Sequence, residues 1–163
     1  MLKKGDKKLI NAWAFYDWAN SVYSLVIGTA VFPLYYSNIT EGATVSFLGT
    51  TWEHPDTLYS YALSFSFLVV AFMSPILSAI ADYTGNKKRF LQIFCWIGSL
   101  SVMSLYFFDG IDTVWIGIVF TVLASIGFWS SIVFYNAYLP EVAFPKDQDR
   151  VSAKGFILGY LGS

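Results

Sequence analysis

This 163-residue sequence has little to offer acid–base or metal chemistry: one cysteine, Cys95, and one histidine, His54. A single thiol closes no internal disulfide and leaves the redox compartment open. A zinc site needs several Cys, His or carboxylate ligands at suitable spacing, and His54, beside Pro55 and Asp56, has no such set around it. Neither His-Glu-x-x-His nor Gly-x-Ser-x-Gly occurs. A catalytic site, a metal and a cofactor are therefore not expected, and neither is a nucleic-acid partner. Charge is scarce too. Asp, Glu, Lys and Arg make up 13% of the chain, against about 25% in soluble domains.

What replaces charge is long apolar runs. The chain is 56% hydrophobic and 20% aromatic, and these residues are clustered. Residues 12–36 contain one charge, Asp17, while 58–81, 90–108 and 113–139 contain none. About 20 apolar residues span a hydrocarbon core of roughly 30 Å, so each block is near or above the length of a transmembrane helix. A fifth apolar segment begins near residue 151 and is incomplete at 163. The expected fold class is an all-α membrane protein with four complete spans and the start of a fifth. Lys3, Lys4, Lys7 and Lys8 would suit a signal peptide, but the run behind them exceeds an h-region of about 7–15 residues and lacks a small-x-small cleavage site. An uncleaved first helix is the expectation, as is a chain that forms the N-terminal part of a longer protein.

Positive charge is missing from two of the connections. All ten Lys and Arg residues fall in three clusters: Lys3, Lys4, Lys7 and Lys8; Lys87, Lys88 and Arg89; Lys146, Arg150 and Lys154. The alternate connections, 37–57 and 109–112, hold Glu41, Glu53, Asp56, Asp109 and Asp112 instead. The positive-inside rule places the N-terminus and the three clusters in the cytoplasm.

Small and polar residues mark faces that pack or meet water, because lipid does not drive helices together. Ser60, Ser64, Ala71, Ser74 and Ser78 form such a stripe in the second span, and Gly117, Thr121, Ala124 and Ser131 in the fourth; packing and a lined path are both open readings. In the first span, Asp17, Asn20, Ser21, Ser24 and Gly28 share one face, and an acid on such a face must meet protein or water. If that helix begins near residue 12, Asp17 lies only about 7–8 Å deep. Two roles fit it: a partner for Arg150 or Lys154, or a gate or solute contact at the inner mouth. Asn136 ends the fourth span, and Glu141 is a candidate partner of Lys146 or Arg150. Gly155-x-x-x-Gly159 suits a close helix contact.

The stretch from Ser78 to Arg89 carries the most specific pattern. Asp82 ends the second helix, Gly85 permits a tight turn, and Lys87, Lys88 and Arg89 follow. It resembles the loop 2–3 signature of the major facilitator superfamily, with Ser78 for the leading Gly and Asn86 for the usual Arg. The stretches "WAFYDWANSVYS", "FYNAYLPEVA" and "VSAKGFILGYLGS" resemble the vacuole-effluxer-like branch of autophagy-related amino-acid effluxers. That resemblance implies a twelve-helix bundle, of which residues 1–163 are part of the N-terminal six-helix half. It implies secondary active transport of a small solute by alternating access, with amino-acid efflux as the branch activity. Implied partners are the solute, a coupling ion such as H+, the lipid bilayer of a cell (inner) membrane and the C-terminal half of the same chain. By position, Ser78, Asp82, Gly85, Lys87, Lys88 and Arg89 become the cytoplasmic gating loop, Asp82 its latch. Asp17, Asn20, Ser21, Ser24 and Asn136 are the pathway candidates. The alternative is a non-transporting scaffold or sensor on the same fold.

Overall fold

The computed structural model describes residues 3–162. It is a bundle of helices. The first span starts as α1 (Lys7–Tyr23), widens into a π-helical turn (Ser24–Thr29) and continues as α2 (Val31–Thr40). Ala30 N–H reaches back five residues to the Leu25 carbonyl at 2.9 Å, and the Thr29 hydroxyl donates to the Ser24 carbonyl at 2.9 Å. Pro33 has no N–H, and its ring crowds the carbonyl four residues earlier, that of Thr29, the last residue of the wide turn. The other helices are α3 (Pro55–Thr84), α4 (Lys87–Ser104), α5 (Val114–Val142) and α6 (Gln148–Gly162). Four helical stretches are long and apolar enough to cross a membrane: Lys7–Thr40, Pro55–Thr84, Lys87–Phe107 and Ile111–Val142.

α5 is the hub. Half of its span is buried, against 6% for α3. Its small-residue stripe is the reason: Gly117, Thr121, Ala124 and Ser131 are all buried, so packing is the outcome there. The closest approach is to α4, where a Cβ on Gly127 would lie 2.5 Å from the Gly98 nitrogen. On its α3 side, Ser66 donates to Ser125 at 2.8 Å. The serine stripe of α3, open to either reading, behaves differently. Ser60 and Ser64 are exposed and spend their hydroxyl protons on carbonyls one turn back, Asp56 and Ser60.

The 37–57 connection contains an element that the apolar pattern does not announce. β1 (Val45–Phe47) and β2 (Thr50–Trp52) form an antiparallel hairpin with Phe47 opposite Thr50. Its two-residue turn, Leu48–Gly49, has both φ angles positive, 53° and 77°, as a type I′ turn requires. Leu48 is an uncommon occupant of that region. The hairpin lies over an aromatic cluster in which Tyr36 is 0% and Phe108 1% exposed. Tyr36 Oη donates to the Pro55 carbonyl at 3.2 Å, and Tyr35 Oη to that of Phe108 at 3.0 Å. The opposite end of the bundle gathers all three cation clusters. Gly5 N–H bonds the Val142 carbonyl at 2.9 Å, Lys154 meets Asn11 at 2.5 Å, and Lys87 meets both Asp82 and Glu141.

Candidate functional site

α1 carries Asp17, Asn20, Ser21 and Ser24 along one wall of a cleft of about 550 Å3. The facing walls come from α5, through Trp129 and Ile132, and from α6, through Phe156 and Tyr160. The polar wall is rich in acceptors. Ser21 and Ser24 donate their hydroxyl protons to the carbonyls of Trp18 and Ser21, at 2.7 and 2.8 Å. Their oxygen lone pairs stay available, beside the Asp17 carboxylate and the Asn20 amide. Gly28 falls in the π-helical turn and does not border the cleft.

The Asp17 carboxylate has room because α6 offers glycines to it. A Cβ on Gly155 would stand 3.3 Å from Asp17 Oδ2, and one on Gly159 would stand 3.5 Å from it. A Cβ on Gly162 would collide with Ser21 Oγ. Gly155, Gly159 and Gly162 thus form the seam between α6 and α1. The same Gly155 position would lie 2.9 Å from the Tyr135 hydroxyl, which is buried and has no hydrogen-bond partner among the described residues. Trp13 stacks on Tyr135 at 4.2 Å and donates its indole N–H to the Tyr135 carbonyl at 3.1 Å. The pairing of Asp17 with Arg150 or Lys154, one of its two candidate roles, does not form. Arg150, more than a turn before Gly155, binds Asp147 at 3.1 Å, and Lys154, directly before Gly155, binds Asn11.

At the α3–α4 corner, Gly85 ends α3 with φ +64° in the left-handed region, which costs glycine little. The turn swings Lys87 back so that its ammonium lies 2.8 Å from Asp82 and 3.5 Å from Glu141. It also donates to the Ala137 carbonyl at 3.4 Å. Glu141 therefore pairs with Lys87 and not with Lys146 or Arg150, since the corner brings the start of α4 against the end of α5. Lys87 is 18% exposed and Asp82 is 63% exposed, so one face of the aspartate stays open to a further partner. Ser78 is half-buried on α3, and Lys88 and Arg89 are exposed.

The geometry meets its relatives at this point. The sequence model described as "Vacuole effluxer Atg22 like" matches residues 5–153. The chain belongs to the vacuole effluxer Atg22-like family. It is 40% identical to an uncharacterized MFS-type transporter, YxiO, of Bacillus subtilis over all 163 residues, which are 36% of that protein. It is 39% identical to autophagy-related protein 22 of Gibberella zeae over 80 residues, 49% of this chain and 12% of that protein. The chain therefore spans about a third or less of the length of these relatives. No solved structure matches it.

In this Atg22-like chain Asn136 does not join the other pathway candidates. It borders a separate groove of about 340 Å3 with Ala71 of α3. Trp129 and Ile132 border both spaces, so they form the ridge that divides Asn136 from Asp17. These two residues, with Phe156, Tyr160 and Tyr135, escaped the sequence reading. A signal was present: positions 129, 132 and 136 of α5 share one face, distinct from the small-residue face that packs.

Proposed function

We propose that the protein containing this chain is a secondary transporter that exports a small solute by alternating access, this chain being part of its N-terminal half. The cleft under Asp17 carries the reading. Four polar α1 side chains face Trp129, Ile132, Phe156 and Tyr160 across it, at a depth where lipid contact would be costly for the acid. A carboxylate with surrounding acceptors and aromatic faces suits a donor-rich cation, above all an ammonium group, and amino acids carry one. The relatives' names, MFS-type transporter and vacuole effluxer, agree with this direction. In this reading the cation-bearing end faces the cytoplasm of a cell membrane. The open side of Asp82 then latches the two halves, and the cleft empties when the latch opens. H+ is the coupling ion favoured by Asp17, the one acid within the apolar part of the first span.

The test is flux of amine-bearing and amine-free solutes into proteoliposomes holding the whole transporter. Asp17→Asn is expected to lower amine flux at least about tenfold, the scale of one charge-assisted hydrogen bond lost, and to flatten its pH dependence. Wild-type flux and pH profile in Asp17→Asn would remove the acid from the pathway. No flux of any solute in the wild type would favour a scaffold or sensor.

A further inference from the structure

Two of the three cation clusters meet at a pocket that the transport reading does not use. Between the first turns of α1 and α6 lies a concavity of about 410 Å3, lined by Lys7, Ile10, Asn11, Arg150, Val151 and Lys154. Three cations border it and no carboxylate does. The cluster at the α3–α4 corner is different, because there Lys87 has two acids within ion-pair distance. We propose that the α1–α6 pocket binds a phosphate group, with the phosphodiester of an anionic lipid headgroup the source its position favours.

Like charges repel, so something other than their mutual energy must hold these cations together. The seam that begins directly after Lys154 does so: Gly155 and Gly159 against Asp17, and Gly162 against Trp18 and Ser21, fix the distance between the helices. The donors at the pocket are only partly used. Lys154 spends one N–H on Asn11. Arg150 spends Nη2 on Asp147, which leaves most of a five-donor guanidinium available. Lys7 has no carboxylate within ion-pair distance among the described residues. A phosphate diester accepts several such bonds at once. Ile10 and the buried Val151 supply the apolar part of the wall, suited to a glycerol backbone. The pocket also lies where the apolar runs near residues 12 and 151 begin, which in the transport reading is the headgroup level. Basic pockets between helices at that depth attract anionic headgroups.

Native mass spectrometry of the protein in detergent, supplied with phosphatidylglycerol or phosphatidylcholine, reads this directly and without any flux assay. Wild type is expected to retain phosphatidylglycerol in preference. The double variant Arg150→Gln/Lys154→Gln should weaken that retention about fivefold per cation removed. Lys88→Gln/Arg89→Gln removes equal charge from exposed positions outside the pocket and should change retention less than about twofold. A second arm adds inorganic phosphate alone. Binding of phosphate with the same dependence on the α1–α6 cations would support the pocket and identify a soluble source. Equal effects of the two double variants, or no preference for either anion, would overturn the proposal. Circular dichroism checks folding, and if the pocket double variant unfolds, Lys7→Gln on its exposed first turn carries the same fivefold expectation.

Discussion

The hairpin end of the bundle and the α3–α4 corner at its other end are closed by different physics. At the hairpin end, Phe32, Tyr36, Val45, Leu58, Tyr59 and Phe108 form a buried cluster that reaches up to the loops. The Tyr36 hydroxyl in it and that of Tyr35 beside it donate to backbone carbonyls, while the buried Tyr59 hydroxyl has no partner among the described residues. At the α3–α4 corner the closure is a half-buried lysine among two exposed acids and a carbonyl. Aromatic packing is lost when the cluster parts, because close contacts fall away steeply with distance. Ion pairs near water exchange for hydration at small net cost. The comparison sets aromatic packing at the hairpin end against exchangeable ion pairs at the α3–α4 corner, beside which Trp13, Tyr135, Val142 and Val151 form a second buried cluster.

The contrast can be broken at its strong side first. Phe108→Ala should remove about 3–5 kcal/mol of stability, seen as a large drop in the thermal unfolding midpoint in detergent. Phe108 is 1% exposed and its ring rests on Gly117. A midpoint close to wild type would mean that the aromatic cluster does not hold this end. Gly127→Ala comes next. Its methyl would stand 2.5 Å from the Gly98 nitrogen, and overpacking of that kind costs about 1–3 kcal/mol. Wild-type stability there would place the α4–α5 crossing further apart than described. Asp82→Asn should have the smallest effect on stability, no more than about 1 kcal/mol and fading as salt screens the pair. If the proposed latch exists, the same change should slow solute flux in the full-length protein, and equal flux would remove Asp82 from that role.

Much of this was legible along the chain. Apolar run length marked the four spans because the bilayer sets a length, and the cation clusters marked a common end because charge stays out of hydrocarbon. Gly85 announced its turn because the left-handed region is cheap for glycine. The polar face of α1 followed from helical period alone. The hairpin was harder, since Leu48 occupies a turn position where Asn, Asp or Gly would signal a type I′ turn. Gly98 and Gly127 gave no joint signal, because each is a small residue in its own helix and only their crossing gives them meaning. Glu141 has Lys146 and Arg150 close in sequence, yet its partner is Lys87, 54 positions away.

Local rules therefore determined the class of protein, its spans, its cation-bearing end and the polar face holding Asp17, all of which depend on residue type and spacing within one helix. Tertiary structure decided which helix faces that stripe, that Gly155 and Gly159 leave space for the Asp17 carboxylate, that Asn136 lies across the Trp129–Ile132 ridge, and that Lys7 shares a pocket with Arg150 and Lys154. Those are relations between helices. They are set by the rotation and separation at which side chains from distant parts of the chain pack, and no period within a single helix encodes them.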